Sequence, residues 1–340
     1  MTHELKKIFE NVLLNQQNSI KSVLATVVFL EGSSYRKPGV TMLISEDGKL
    51  TGAVSGGCVE KEIKYRAESV FKTGEAKVMT YDGRYRLGCE GILYILIEPF
   101  KISEALNLKF QEVLHKRESF QISSLFKKED DVIGNFGSQI KFNDNSAYKF
   151  NDQFDLEKTD NLELFTQNLE PAFKLIIIGG EHDSVKLCTM ASFLGWDVEI
   201  ITSIKDPKEL SDFPGAKNVS AQTPEIADFH LDAQTAVILM THNYALDLKY
   251  LLKLQLFDLK YIGILGSKKR RELILNELIE LNPDLDEEFL DKIHSPAGLN
   301  IGAVTPEEIA LSILSEILVV TRKTDLMEMQ NNIGKIHSDQ

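Results

Sequence analysis

KLIIIGGEHDSVKLCTMASFLGWDVEIIT, residues 174–202, decides the fold of the second half of this chain. Lys174 to Ile178 is a short apolar run, the signature of a buried strand, and it enters Gly179-Gly180. Ser184 to Leu194 has helical spacing and closes at Gly195. Asp197 to Thr202 reads as a second strand. Downstream the alternation continues. Thr235 to Met240 is a third strand, Ala245 to Leu256 a helix, Tyr261 to Leu265 a fourth strand, and Lys268 to Leu281 a helix that stops before Pro283. Strands alternating with helices predict a Rossmann-like, doubly wound parallel sheet over residues 173–325. Thr305-Pro306-Glu307-Glu308 is a capping box with proline at the first helical position. The helix behind it buries Ile309, Ile313, Leu314 and Ile317.

The first half patterns differently. Ser22 to Leu30 is a nearly continuous apolar run, a buried strand that ends at Glu31-Gly32. Val40 to Ile44 and Leu50 to Val54 flank Glu46-Asp47-Gly48, a hairpin signal. Val59 to Lys72 has helical spacing, and Ala76 to Tyr81 and Ile92 to Pro99 read as further strands. Residues 1–100 are therefore expected to form a mixed α+β domain. Residues 101–172 are weakly patterned: Gln121 to Phe126 and Ser138 to Phe142 suit hairpin strands, while the polar stretch from Asn143 to Asn168 reads as loop or linker. There is no internal repeat.

The chain has 340 residues, and 43% of them are hydrophobic, which suits about two domains with ample cores. A formal net charge of −13 disfavours nucleic acid and anionic membranes, which need cationic footprints. No apolar run is long enough to span a bilayer. Met1 to Ile20 mixes charges with apolar residues at helical spacing, so an amphipathic helix is expected there and not a signal peptide. Cys58, Cys89 and Cys188 make no CxxC pair. An odd cysteine count without a secretion signal fits a reducing, cytoplasmic location.

The density of polar groups between Glu31 and Glu60 singles that block out. One turn holds Ser33, Ser34, Tyr35, Arg36 and Lys37, and the next ends in Ser55-Gly56-Gly57-Cys58. Donors, cations and one thiol in two glycine-rich turns suit an anionic, polar small molecule. A cysteine behind two glycines at a helix start favours the thiolate. Its role is open between nucleophile, sulfur acceptor, soft-metal ligand and a small residue packed at the helix start. Gly88-Cys89-Glu90-Gly91 is a second glycine-flanked cysteine, and the two thiols make a pair if they meet. Cys188 lies within the helix after Gly180 and is expected in the core.

In the second half, Gly179-Gly180-Glu181-His182 sits where a dinucleotide fold places its phosphate loop. The pattern is incomplete: Glu181 stands where the second glycine of G-x-G belongs, and Thr202-Ser203 ends the second strand where an acidic residue would hold a ribose. Thr241-His242-Asn243 follows a strand's carboxyl end, where such sheets bind ligands. Gly266-Ser267-Lys268-Lys269-Arg270-Arg271 opens a helix with four cations against its dipole, which reads either as an anion site or as solvated basic residues. The loop His294 to Gly302 either closes over a ligand or is a constrained turn. There is no G-x-S-x-G, H-E-x-x-H or complete P-loop.

Together these motifs resemble the XdhC/CoxI family, accessory proteins of molybdenum hydroxylases such as xanthine dehydrogenase and carbon monoxide dehydrogenase. The resemblance runs through Glu31-Gly32-Ser33-Ser34 with Arg36, Pro38 and Gly39, then Ser55-Gly56-Gly57-Cys58-Val59-Glu60. It continues through Cys89-Glu90-Gly91 and Glu98-Pro99, Leu194-Gly195-Trp196, Phe213-Pro214-Gly215-Ala216, Thr241-His242, and Tyr261-Ile262-Gly263 with Leu265-Gly266-Ser267. It ends at Gly302-Ala303 and Thr305 to Ala310. The middle region contributes nothing. The resemblance implies a chaperone that binds molybdenum cofactor (molybdopterin), protects it and delivers it to an apo molybdenum hydroxylase. A cysteine desulfurase is an implied further partner, and a homodimer an expected assembly. The implied cofactor-binding residues are Ser33, Ser34, Arg36, Ser55, Gly56, Gly57, Cys58, Cys89, Gly179, Gly180, His242, Gly266, Ser267 and Lys268, with Cys58 on the metal. No residue is expected to catalyse a turnover. The chain departs from the family pattern at Glu90, Glu181, Thr202-Ser203 and Asn243. The competing reading, from the doubly wound half alone, is an NAD(P)-binding oxidoreductase.

Overall fold

The structure, a computed structural model, describes residues 1–34, 37–85 and 91–326; the side chains of Cys58 and Tyr85 also lie outside the description. It divides into two compact units, one built on Met1–Pro171 and the other on Ala172–Leu326.

The first unit begins with α1 (Thr2–Gln17), β1 (Ser22–Glu31), the hairpin β2 (Thr41–Ser45) and β3 (Leu50–Gly52), α2 (Cys58–Thr73), β4 (Ala76–Asp82) and β5 (Ile92–Pro99). It continues with α3 (Glu104–Lys116), β6 (Phe120–Phe126), β7 (Val132–Gly134), β8 (Gly137–Phe142), β9 (Ala147–Lys149) and β10 (Glu163–Leu169). One sheet has the order β3-β2-β1-β5-β4-β7 and a second the order β10-β6-β8-β9. All of their pairings are antiparallel.

Burial on both faces explains the unbroken apolar run of β1, because successive side chains point to opposite sides of a strand. Val23, Ala25 and Val27 pack with Val59, Ile63, Ala67 and Val70 of α2. Leu24 faces the other way, into a cluster with Phe9 of α1, Phe110 of α3, and Phe120 and Phe142 of the second sheet.

That cluster also corrects the reading of the middle region. Residues 101–170 are not a linker: they supply α3, the whole second sheet and β7, which pairs with β4 of the first sheet. The stretch from Asn143 to Asn168 carries β9 and most of β10. β10 escapes sequence reading because it is half-exposed and its residues Thr166, Gln167 and Asn168 are polar on both faces. Its apolar anchor is Leu169, paired with Phe120.

The second unit contains β11 (Lys174–Ile178), α4 (His182–Phe193), β12 (Asp197–Thr202), β13 (Asn218–Ala221), β14 (Thr235–Leu239) and α5 (Tyr244–Leu254). Then come β15 (Tyr261–Ile264), α6 (Lys268–Leu281), α7 (Glu287–Asp291), β16 (Ile293–His294) and α8 (Pro306–Arg322). Its parallel sheet has the order β13-β12-β11-β14-β15-β16, the doubly wound order of a Rossmann fold. The expected fold class is therefore what the chain adopts. Leu175 and Ile177 of β11 bury against α4 and α8 through Leu187, Cys188, Ile313 and Ile317. Ile176 and Ile178 bury against α5 and α6 through Leu251, Leu254, Ile274 and Leu278. Cys188 is core, as expected, and burial pushes its thiol up to about 11. Two short strands, β13 and β16, also escape sequence reading: four and two residues long, they are too brief to show a period.

Candidate functional site

In the first unit Glu31, Ser33 and Gly91 meet at one end of the first sheet. β1 ends at Glu31, opposite Ile92 at the start of β5. Gly91 precedes β5, and a Cβ there would lie 2.8 Å from the carbonyl oxygens of both Glu31 and Ser33. Only glycine lets the strand enter so close to the serine turn. α2 begins at Cys58, and its last turn (Val70 to Gly74) lines a pocket with Ser22, Val23 and Pro99 at the opposite end of β1 and β5. The first turn of α2 therefore points toward the end that holds Glu31, Ser33 and Gly91.

The loop ahead of Cys58 is organised by Glu60. Its carboxylate accepts from the Ser55 N–H (2.6 Å), the Ser55 hydroxyl (2.5 Å) and the Gly57 N–H (2.9 Å). Ser55 Oγ in turn accepts from the Val59 N–H at 3.3 Å. Gly57 has no side chain with which to cap α2, so Ser55 does that work from two residues upstream. Burial raises the Glu60 pKa, but these hydrogen bonds outweigh it and hold the group below the ordinary carboxylate range. Gly57 adopts φ 120°, a conformation open to glycine. A Cβ on Gly56 or Gly57 would meet nothing within 4 Å, so the space over the loop is open. Ser55 is thus a positioning residue with its hydroxyl already engaged. Sequence reading missed Glu60 as a site residue, although its spacing from Gly57 is half of a capping box. Glu60→Ala is expected to cost about 1–2 kcal/mol by orphaning the Ser55 and Gly57 N–H groups. Hydrogen exchange of amides 55–59 then accelerates about tenfold; an unchanged rate would show that the loop does not depend on this carboxylate.

Lys128, between β6 and β7, also belongs to this end. Its Nζ lies 2.7 Å from Glu31 Oε1 and 4.0 Å from the Phe29 ring centroid. The Lys128 hydrogen bond lowers the Glu31 pKa. No motif flags Lys128, which comes from the weakly patterned region. Arg36 and Cys89, and Tyr35 with them, lie outside the described residues, as does the Cys58 side chain. Among the described residues no cluster of three or more His, Cys, Asp or Glu side chains is placed to hold a metal ion.

In the second unit the expected residues line the carboxyl edge of the parallel sheet. Gly179 and Gly180 follow β11, and His242 follows β14, its neighbour across the point where strand order reverses. Gly179 has φ 150°, and a Cβ there would come within 2.3 Å of the Met240 carbonyl oxygen. The close approach of the β14 end therefore already demands this glycine. Glu181 is the exposed N-cap of α4, with no side-chain capping hydrogen bond. Lys208 reaches the same loop: a Cβ on Gly180 would lie 3.4 Å from Lys208 Cγ and from Thr202 Cγ2. Thr202 is buried, and its hydroxyl faces Ser220 O at 3.5 Å.

His242 is exposed and left-handed, with φ 53°. Thr241 before it donates its hydroxyl to Asp247 Oδ1 at 2.6 Å. Asn243 after it caps α5, accepting from the Leu246 N–H at 3.2 Å. Asparagine caps as well as aspartate, so the family departure at Asn243 preserves the loop.

Gly266, Ser267 and Lys268 follow β15. Ser267 caps α6, its Oγ accepting from the Arg270 N–H at 3.3 Å. The four-cation reading is corrected at one position. Arg270 turns inward, and its Nη2 lies 2.6 Å from Oδ2 of the buried Asp247. The anion that offsets Arg270 is this unit's own. Lys268, Lys269 and Arg271 make no ion pair or side-chain hydrogen bond among the described residues.

A mixed α+β unit carrying a glycine–cysteine helix start, with a second unit of Rossmann strand order, defines a two-unit class of protein. Residues 16–82 match the XdhC and CoxI family, and residues 175–317 match the XdhC Rossmann domain. The chain is 30% identical over 334 residues to a probable subunit of xanthine dehydrogenase from Bacillus subtilis (strain 168), covering 92% of this chain and 96% of that one. It is 25% identical over 305 residues to the molybdenum cofactor insertion chaperone PaoD of Escherichia coli (strain K12), covering 88% and 83%. A crystal structure of a xanthine dehydrogenase from Bacillus halodurans superposes with a TM-score of 0.75 at 27% identity, covering 93% of this chain and 96% of that one. The chain belongs to the XdhC and CoxI family. Among the described residues, no helix is long and apolar enough to cross a membrane.

Proposed function

We propose that the protein binds molybdenum cofactor as cargo in its first unit, shields it, and passes it to an apo molybdenum hydroxylase of the xanthine dehydrogenase type without turnover of its own. The observation that carries this reading is Cys58. It is the first residue of α2, behind two glycines with open space over them, on a loop clamped by the Glu60 carboxylate. A helix start favours a thiolate, and a thiolate is the natural partner of a soft molybdenum–dithiolene centre. In this reading Ser33, Ser34, Arg36 and Lys37 serve the pterin's phosphate and polar edge. The names of two relatives support the reading, one a molybdenum cofactor insertion chaperone and one a probable subunit of xanthine dehydrogenase. A cytoplasmic location, a cysteine desulfurase that sulfurates the cargo and a homodimer that encloses it complete the proposal.

The test is molybdenum and pterin content after incubation with free cofactor and desalting, for wild type and Cys58→Ala. Near-stoichiometric retention by wild type and loss of at least about tenfold in the variant is the expected result, since one good ligand contact is worth a factor of this order. Equal retention by both would remove Cys58 from the site. Retention by neither would reject the cargo role.

A further inference from the structure

The second unit holds a pocket that the cargo reading does not use. It has a volume of about 470 Å³ and lies between the first turn of α6, α7, the end of β16 and one side chain of α8. Lys268 and Arg271, three apart and so on one face of α6, line it together with His294, Ser295 and Glu316.

Glu316 is fully engaged on the inner side. Its carboxylate accepts from the Tyr261 hydroxyl and from the Gly298 N–H at 2.7 Å, and lies 3.4 Å from His294 Nδ1. Tyr261 also stacks on the imidazole, with ring centroids 4.4 Å apart. With the carboxylate beside Nδ1, Nε2 is the ring nitrogen left to a ligand. Everything behind the imidazole is therefore paired, and what lacks a partner lines the pocket. His294 Nε2 has no hydrogen bond among the described residues. Neither has the Ser295 hydroxyl, although its oxygen is buried. Buried polar atoms in native proteins find partners, and an orphan calls for a ligand or an ordered water. A role confined to packing accounts for the Tyr261–His294–Glu316 stack. It does not account for an orphaned hydroxyl next to it, or for two cations on the same wall that make no ion pair among the described residues. The pocket lies at the carboxyl end of β16, the edge strand that pairs in parallel with β15.

We propose that this pocket is a second binding site, for a small molecule that carries one phosphate or carboxylate group and at least one hydroxyl. Lys268 and Arg271 hold the oxyanion. His294 Nε2 hydrogen-bonds the hydroxyl, and Ser295 Oγ completes its hydrogen bonds. Glu272 and Asp291 also line the wall, so the pocket carries both signs and disfavours polyanions. The site is independent of the cargo reading and stands or falls without it.

Calorimetric titration of the whole protein with ribose 5-phosphate tests the proposal, with ATP as the polyanion control. Wild type is expected to bind ribose 5-phosphate and to prefer it to ATP. Lys268→Gln/Arg271→Gln is expected to weaken binding about tenfold or more while leaving thermal unfolding unchanged, since neither side chain has a partner to lose. Ser295→Ala discriminates further, because that hydroxyl has no partner whose loss would unfold the protein. It is expected to weaken binding at least about threefold, a factor worth less than one neutral hydrogen bond. No heat with wild type, full affinity in the double variant, or full affinity in Ser295→Ala would each overturn the assignment. So would binding that survives in the double variant and disappears in Lys208→Gln, since that would move the oxyanion to the Gly180 loop.

Discussion

Arg270→Met is expected to destabilise the second unit by about 3–5 kcal/mol, the cost of stripping one partner from a buried ion pair. Asp247 is 1% exposed, and its two oxygens take Arg270 Nη2 and the Thr241 hydroxyl at 2.6 Å each. Without the guanidinium the buried carboxylate keeps one neutral donor, the Thr241 hydroxyl. Asp247→Asn is milder, about 1–2 kcal/mol. An amide still accepts from Thr241, and Arg270, 23% exposed, turns its charge to solvent. The pairing also sets an order among variants. Arg270→Met combined with Asp247→Leu removes both charges and is expected to be more stable than Arg270→Met alone. The readout is built in. Trp196 is the chain's single tryptophan, it lies in the second unit, and its ring packs 4.6 Å from that of Phe173. Urea unfolding followed by Trp196 fluorescence therefore reports this unit alone. A loss under about 1 kcal/mol for Arg270→Met, the range of an exposed pair, would reject the buried-pair account.

The same residue shows where sequence reading succeeds and where it stops. The βαβ alternation of the second unit is legible because β11, β14 and β15 are buried on both faces and α4, α5 and α6 on one, so these elements write their burial into their hydrophobic period. The glycine turns are legible because Gly57 and Gly179 hold backbone conformations that other residues resist. Partnerships are not legible. Four consecutive cations at the start of α6 look alike in sequence. Only the fold shows that Arg270 faces Asp247, 23 positions away, while Lys268 and Arg271 face a pocket. Lys128 is hidden for the same reason: a lysine in a polar segment has no signature until the fold carries it to Glu31. Asn243 is the converse case. A departure from the family pattern proves to be a conservative exchange of one N-cap for another. The middle region fails for a different reason. Its strands are short or exposed, so no face is continuously apolar, and their pairing is set by partners distant in sequence.

The second large effect is a pH dependence of the first unit, and it is expected to vanish in Glu98→Gln. Glu98 stands opposite Leu24 of β1, is fully buried, and accepts from the Ser138 N–H at 2.9 Å and the Ser138 hydroxyl at 2.5 Å. No cation is paired with it among the described residues. Burial pushes its pKa from 4.5 up to about 7, and the two Ser138 hydrogen bonds oppose this without cancelling it. The native state thus holds a proton that the unfolded chain has released. Stability from this group is complete below pH 4.5 and is lost as pH rises through about 7. The loss between pH 5.5 and pH 8 is about 2 kcal/mol, at roughly 1.4 kcal/mol for each pH unit over which the two states differ by a proton. A neutral amide suits the site at every pH. It can donate to Ser138 Oγ, which can pass its own proton on to Ser124 Oγ, 2.8 Å away. Urea-dependent hydrogen exchange of the β5 and β8 amides at pH 5.5 and pH 8, corrected for intrinsic rates, measures the effect. Wild type is expected to lose stability across this range relative to Glu98→Gln, and the variant to be the more stable of the two at pH 8. Parallel slopes would show that Glu98 is ionised throughout. The position makes the outcome informative beyond one residue. β5 meets the serine turn at its Gly91 end and the second sheet at its Glu98 end, so a proton on Glu98 bears on how firmly the second sheet is held to this strand.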